Sequence, residues 1–308
     1  MSNTVLDYAF KVSEATVIPE VDTAWIKVPA VVVKPAEGVE AGIYRITNKE
    51  EIADYTDNEH IGSILNVKSY CYLIASNTLN IADVLDANLT NLYTVIISDD
   101  FDISDFGENR ADLKLGSFKG VVAYANKGET AEEKEFLENF AKFGCAFAGT
   151  TYNMCHAFSM LLGGTAWQNQ QYIDMPNAGY DNLGDAEYNY EKRISFVLND
   201  EAKYYLAFFA VAGRAIIAPY VIKEITLKQQ SKAFSWIAAN QPTKTIVNAK
   251  LLQDRLNLIY TPYLEERLIS AGSTTVNLDN DAFSCSGKIT ITDPTALWRV
   301  EAVLKVES

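Results

Sequence analysis

Histidine is nearly missing from this chain of 308 residues: there are two, His60 and His156. A Ser–His–Asp triad, a histidine-ligated zinc site or a histidine general base would have to be built on one of them. His60 lies in a polar stretch. His156 directly follows Cys155 on a predicted helix, where adjacent residues do not face each other. Cysteine is sparse as well: Cys71, Cys145, Cys155 and Cys285 are dispersed, without CxxC spacing. They read as small buried hydrophobes made in a reducing compartment, not as a disulfide framework. GxxxxGK[ST], GxGxxG after a strand, HExxH and GxSxG do not occur, so the usual signatures of NTPases, dinucleotide enzymes, zinc hydrolases and α/β-hydrolases are lacking. The longest apolar run, 204–213, is far short of the ~20 residues of a membrane helix, and residues 1–12 hold Asp7 and no signal-type apolar core.

Positive charge is also in short supply. The formal net charge is −14, which argues against general nucleic-acid binding and against an anionic membrane surface. The one exception is the segment 214–268, with eight basic against four acidic residues, a net +4 that leaves −18 on the remainder. Lys228 and Lys232 lie one helical turn apart within it. The segment reads either as an ordinary solvated helix face or as a basic patch that docks on an acidic partner.

What the chain does have is alternation of strand-like and helix-like segments. Residues 25–34 read as a strand with Pro29 at an edge position or bulge, and 42–46 as a short strand. Thr47 and Glu50 suggest a capping box opening a short helix. The runs 69–75 and 93–98 read as strands buried on both faces, with a helix between them over 79–89. The pattern continues: a strand at 120–125, a Thr130/Glu133 capping box opening a helix, a strand at 145–150 and a helix at 153–162. Strands and helices in this order mean βαβ units. The fold class is therefore α/β, a doubly wound, mainly parallel sheet core, with C-terminal helices, C-terminal strands and extended terminal arms. Residues 165–192 read as a long surface loop, 202–211 as a very apolar helix, 225–239 and 249–268 as further helices, the last interrupted near Pro262. The domain organisation expected is an N-terminal arm (1–25), an α/β core (26–200), a C-terminal α+β portion packed with the core (201–294) and a C-terminal strand arm (295–308).

Two places carry groups with chemical potential. Asp99, Asp100, Asp102, Asp105 and Glu108 follow the 93–98 strand, at the carboxyl end where open α/β sheets place their sites. Their spacing does not match a calcium loop, so a solvated acidic loop is the plainer reading. Cys145 or Cys155 with His156 would be the nucleophilic alternative. No cofactor is implied.

The chain's tail is more informative. Trp298, Val300, Ala302, Leu304 and Val306 alternate with Arg299, Glu301 and Lys305, Val303 being the one mismatch. This is the period of a half-buried strand. It is either tucked into the chain's own sheet or offered to a neighbour's sheet edge.

Taken with the apolar and basic stretch YYLAFFAVAGRAIIAPYVIKEITLKQQ (204–230), these features resemble the sheath proteins of contractile phage tails and related contraction machines. The resemblance spans most of the chain and lies in order and character. It implies a structural, non-enzymatic subunit that forms stacked hexameric rings and a helical polymer around an inner tail tube protein, between baseplate and tail terminator proteins. Contraction would drive the tube through the host envelope, powered by new inter-subunit surface. It places the protein in a virion tail assembled in the host cytoplasm, with neither nucleic acid nor membrane as partner. By position, Trp298, Arg299, Val300, Glu301, Ala302, Val303, Leu304 and Lys305 would form the C-terminal interface strand. Trp25, Ile26 and Val28 would belong to the N-terminal arm or the first core strand, and Lys228 and Lys232 would face the tube. The alternatives are another tail structural protein of a virion, or an enzyme on a doubly wound fold using the Asp99–Asp105 loop.

Overall fold

Runs of Val, Ile, Ala and Cys only four to six residues long build the centre of the molecule. In the computed structural model, residues 4–12, 22–89, 91–162, 174–175, 183–200, 203–208, 210–212, 214–215, 217–279 and 282–291 are described. In chain order the elements are β1 (Thr4–Val12), β2 (Pro29–Val33), β3 (Gly42–Ile46), β4 (Cys71–Ala75), α1 (Ala82–Ala87), β5 (Thr94–Ile97), β6 (Val121–Asn126), α2 (Ala131–Ala141), β7 (Cys145–Ala148) and α3 (Thr151–Leu162). They continue with β8 (Asp174–Met175), α4 (Leu183–Glu191), β9 (Ser195–Asp200), β10 (Lys203–Phe208), β11 (Ala210–Val211), β12 (Arg214–Ala215), α5 (Ile217–Asn240), α6 (Ile246–Asn257), α7 (Thr261–Glu265), β13 (Ile269–Asp279) and β14 (Ala282–Ile291).

The large sheet has nine strands in the order β3-β4-β2-β5-β6-β7-β9-β10-β8. The pairs from β4 to β9 are parallel, and the pairs at both margins are antiparallel. Its strands alternate sides as the pleat requires. Val31, Val33, Ile96, Ala123 and Phe147 join α3 and the first half of α5 in one core. Ala30, Val32, Val95, Ile97, Val122 and Tyr124 join α1, α2 and α4 in the other. Burial on both faces is why these strands read as unbroken apolar runs rather than as alternation.

The second sheet is antiparallel, in the order β1-β14-β13. Beneath it lies a third core of Ala233 and Trp236 from α5, Ala249, Leu252 and Leu256 from α6, and Val276, Phe283 and Cys285 from the sheet. Helix α5 therefore works in both halves: Ala218, Tyr220, Val221 and Ile225 pack on the large sheet, Ala233 and Trp236 on the small one. Twenty-four residues span about 36 Å, enough for both tasks. The small sheet is locked to the helices by polar groups. The buried Gln229 side chain donates to the Leu256 carbonyl and to Thr274 Oγ1, and the Tyr260 hydroxyl meets Thr274 Oγ1 at 2.8 Å. The Tyr260 ring lies on Gly272 so closely that a Cβ there would sit 2.4 Å from Cδ1. Gly272→Ala is expected to destabilise the fold by about 1–3 kcal/mol through overpacking, read as a fall in the denaturant midpoint at unchanged m-value.

Several sequence expectations need correction. Residues 202–211 are not a helix: 203–208 form β10, antiparallel to β9, and 210–211 form β11. A short apolar run has no periodicity that separates buried helix from buried strand, and this one is rich in aromatics, which favour strands. Residues 165–192 are not all loop, since 183–191 form α4, over whose tyrosines the cations of Lys134, Lys192 and Arg193 lie. Residues 24–27 are a 3-10 turn, and the strand begins only at Pro29. Pro29 opens a central strand instead of an edge, a position where its missing N–H costs little. The first capping box is set one residue later than read: Asn48 caps, with Glu51 as its reciprocal partner and Thr47 Oγ1 donating to the same carboxylate. The Thr130/Glu133 box is formed as read. Residues 4–12, placed in an arm on sequence, pair in register with β14 from Thr4↔Ile291 to Val12↔Phe283.

Candidate functional site: the sheet switch point and the α5–α6 face

In a doubly wound sheet the binding crevice opens where neighbouring strands send their connections in opposite directions. Here that point lies between β2, whose chain leaves toward β4, and β5, whose chain leaves toward β6. The crevice is closed by the protein's own groups. Asn58 Nδ2 donates to Asp99 Oδ1 at 3.0 Å and to Asp100 Oδ1 at 2.9 Å. The Lys34 amide donates to Asp100 Oδ2 at 2.9 Å, and the Asp99 amide to Thr151 Oγ1 at 2.8 Å. Asp102 caps the 3-10 turn 103–106; hydrogen bonds from the Ser104 hydroxyl and amide hold its carboxyl below the usual range. Asp105 accepts from Lys34 Nζ. The acidic loop is thus a set of acceptors that fasten loops to one another. Among the described residues no cluster of three or more His, Cys, Asp or Glu side chains could hold a metal ion.

The cysteines are not placed for nucleophilic work. Cys145 and Cys155 are fully buried. Burial pushes the Cys145 thiol up to about 12, against a small opposing effect of the Ser195 hydroxyl 3.6 Å away. Burial raises Cys155 well above the ordinary thiol value. A thiolate is the reactive form, and both sites disfavour it. His60 is about half exposed, with Nε2 4.0 Å from Asp99 Oδ2.

The basic segment is where the structure leaves charge and apolar surface together. Lys228 and Lys232 both lie on α5 but differ in role. Lys228 Nζ donates to Glu224 Oε1 at 2.6 Å and to the Tyr263 hydroxyl at 2.9 Å. Lys232 is exposed. It lines a groove of about 590 Å³ with Lys228, Arg255, Leu258 and Ile259. Beside it, α6 presents a hydrophobic face outward: Val247 is 68% exposed, Leu251 49% and Leu258, just past the helix end, 70%. These positions recur at helical spacing on one side. Sequence reading had selected the two lysines but not Arg255 or this face. The available signal was Val247, Leu251 and Leu258 at that spacing, on the side opposite the buried Ala249, Leu252 and Leu256.

Glu224 was missed altogether. It joins Lys228 to Lys27 at 3.8 Å and accepts a 3.5 Å hydrogen bond from the Thr23 hydroxyl, tying the entry to β2 onto α5. Burial would raise its carboxyl, but the Lys228 hydrogen bond and the charges of Lys27 and Lys228 outweigh that and hold it below the ordinary 4.5. A depressed carboxyl contributes stability above its unfolded value and loses it as pH falls through the folded one. The wild type should therefore lose more stability than Glu224→Gln between pH 6 and pH 3, and the two denaturant midpoints should converge toward the acid end. Parallel pH profiles would show that Glu224 carries no such linkage.

The interface candidates from sequence separate in the same way. Ile26 and Val28 are 1% and 6% exposed, in this chain's own core. Trp25 is half-buried and keeps some surface, with Lys223 Nζ 6.0 Å from its ring centre. Trp298, Arg299, Val300, Glu301, Ala302, Val303, Leu304 and Lys305 lie outside the described residues. No helix among the described residues is long and apolar enough to cross a membrane.

No family model and no curated protein matches the sequence. Solved structures do match the fold. A chain of the helical sheath of the anti-feeding prophage, seen in its contracted state, superposes with a TM-score of 0.59 at 11% identity, covering 98% of both chains. A chain from the six-fold symmetrised baseplate of the same particle superposes with a TM-score of 0.62 at 10% identity, covering 96% of this chain and 97% of that one. The match runs from end to end of both chains.

Proposed function

We propose that the protein is a structural subunit of a contractile injection-type assembly, acting as a sheath protein. The single observation that carries this is the end-to-end likeness to a sheath chain at almost equal length, covering 98% of both chains. Two features of the chain support it. The carboxyl end of the sheet, where a doubly wound enzyme would bind substrate, is stitched shut by Asn58, Asp99 and Asp100. The second sheet is small and antiparallel and ends in a strand, β1, with one outer edge, a form suited to joining subunits by strand addition.

In this reading subunits form rings stacked around an inner tube, and residues 295–308 supply a strand to a neighbour. Main-chain hydrogen bonds connect the copies without fixing one packing angle, so each subunit can turn largely as a rigid body. The groove and outward face of α5 and α6, with Lys232 and Arg255, form the tube-facing surface. Of Trp25, Ile26 and Val28, only Trp25 has surface for a neighbour. Likeness to the baseplate chain favours one second reading, a ring-forming baseplate component of the same fold.

Negative-stain electron microscopy of the purified full-length protein tests the proposal. Helical tubes or long stacks of rings are expected for a sheath. Single rings that never stack favour the baseplate reading. Uniform monomer-sized particles at high concentration sink both.

A further inference from the structure

The outward side of α6 carries its groups in a self-complementary order. Val247, Leu251 and Leu258 form the exposed apolar stripe, and Lys250 and Asp254 stand exposed along one flank of it, a turn apart. Neither charge has an ion-pair partner among the described residues. Lys250 and Asp254 lie equally far on either side of Leu252, near the middle of the helix, and Val247 and Leu258 almost equally far. A two-fold axis set over Leu252 on the exposed side therefore lays a second α6 antiparallel on the first. Lys250 then meets Asp254 of the second copy, and Val247 meets Leu258 of the second copy. Leu251 packs beside its own counterpart. In a two-fold antiparallel helix pair like flanks face each other. Arg255, on the other flank beside the groove, therefore stays clear of Lys250 of the second copy.

We infer that free subunits pair through α6 about this two-fold axis, and that the pair must open before rings form. The opening step rests on the assembly reading above; the contact itself does not. A second copy is the occupant because the exposed pattern is its own complement. Each charge on the Lys250 flank meets its opposite, and each end of the stripe meets an apolar side chain. In a ring the α5–α6 faces of all subunits turn toward one common axis, so two copies cannot keep them face to face. Pairing and ring formation therefore exclude each other. The contact is small as well. A helix of twelve residues is about 18 Å long, which makes this an interface of the weak, transient class. It covers apolar surface in the free subunit and still yields when rings assemble.

Sedimentation velocity of the full-length protein below its polymerisation concentration tests this, together with cross-linking of Leu251→Cys by a short bifunctional thiol reagent. The four native cysteines are buried and do not compete for the reagent. A dimer is expected, with a Leu251→Cys link that fades as polymers form. Asp254→Lys sets like charges against each other at both ends of the pair. It should weaken the dimer about tenfold or more and lower the concentration at which polymers appear. Adding Lys250→Asp to it should restore both. These positions are exposed, so thermal melts of the variants should match the wild type. Monomers throughout, or a dimer that Asp254→Lys leaves intact, overturn the inference and leave the assembly reading standing. A Leu251→Cys link that grows within polymers overturns the exclusion of pair and ring. A dimer that obeys the charge swap, with no polymer at any concentration, overturns the assembly reading and the opening step with it.

Discussion

Deletion of residues 295–308 is expected to abolish polymer formation while leaving the unfolding transition of the subunit almost unchanged. The physical case lies in how completely the described residues cover one another. Both faces of the large sheet are covered, one by α3 and α5, the other by α1, α2 and α4. The face of the small sheet that carries Val276, Phe283 and Cys285 is covered by α5 and α6. Among the described residues, each of these three faces is already covered by helices. A strand lost from an outer edge removes main-chain hydrogen bonds worth little net stability each, so the midpoint temperature should move by no more than about 2 °C. If the segment instead completes the chain's own core, losing a buried Trp298 costs about 3–5 kcal/mol. The truncated protein would then melt far earlier or fail to fold. Analytical ultracentrifugation and a thermal melt of the same sample separate the outcomes: a stable monomer supports donation, an unfolded one refutes it.

The parallel core was legible in the sequence because buried strands of four to six apolar residues are separated by helices with recognisable caps. Thr130 and Glu133 are the clearest case, and the helix they open starts where they place it. The errors fall where local signals tie. Residues 203–208 are apolar and aromatic without a decisive period, and only pairing with β9 makes them a strand. Residues 183–191 hold enough Asn, Tyr and acid to read as loop, yet they fold as a helix once Ala186 has a core to enter. The candidate site shows the same limit more sharply. Alternation along a strand is a one-dimensional property, so the sequence can suggest a strand at 297–306, which lies outside the described residues. That Asn257 and Gln253 on α6 accept from the Thr274 and Val276 amides of β13 could not be read there, because it depends on the edge that α6 happens to lie beside. Likewise Lys228 and Lys232 are equivalent on a helical wheel, and only the position of Glu224 and Tyr263 separates them.

That separation gives the second large effect. On the proposed sheath reading, with the α5–α6 face toward an acidic tube, Lys232→Glu combined with Arg255→Glu should weaken that association by about tenfold or more at low ionic strength, with little change in subunit stability. Both groups are exposed beside the groove, and exposed substitutions rarely move stability by more than about 0.5 kcal/mol. Their attraction acts over about one Debye length, so the deficit should shrink as salt rises toward 0.5 M. Lys228→Glu should do the opposite. It sets a second carboxylate against Glu224, whose side chain is only 15% exposed, and removes the hydrogen bond to Tyr263. The cost to folding should be about 2–4 kcal/mol, and no partner is needed to see it. A sedimentation assay with tube protein across a salt series, run beside denaturant melts of the free subunit, measures both. If Lys228→Glu weakens binding without lowering stability, the ion pair with Glu224 is not what holds that lysine. If the double reversal changes neither binding nor its salt dependence, the α5–α6 face is not the tube-facing surface, and the outward stripe of Val247, Leu251 and Leu258 must meet a partner by apolar contact alone.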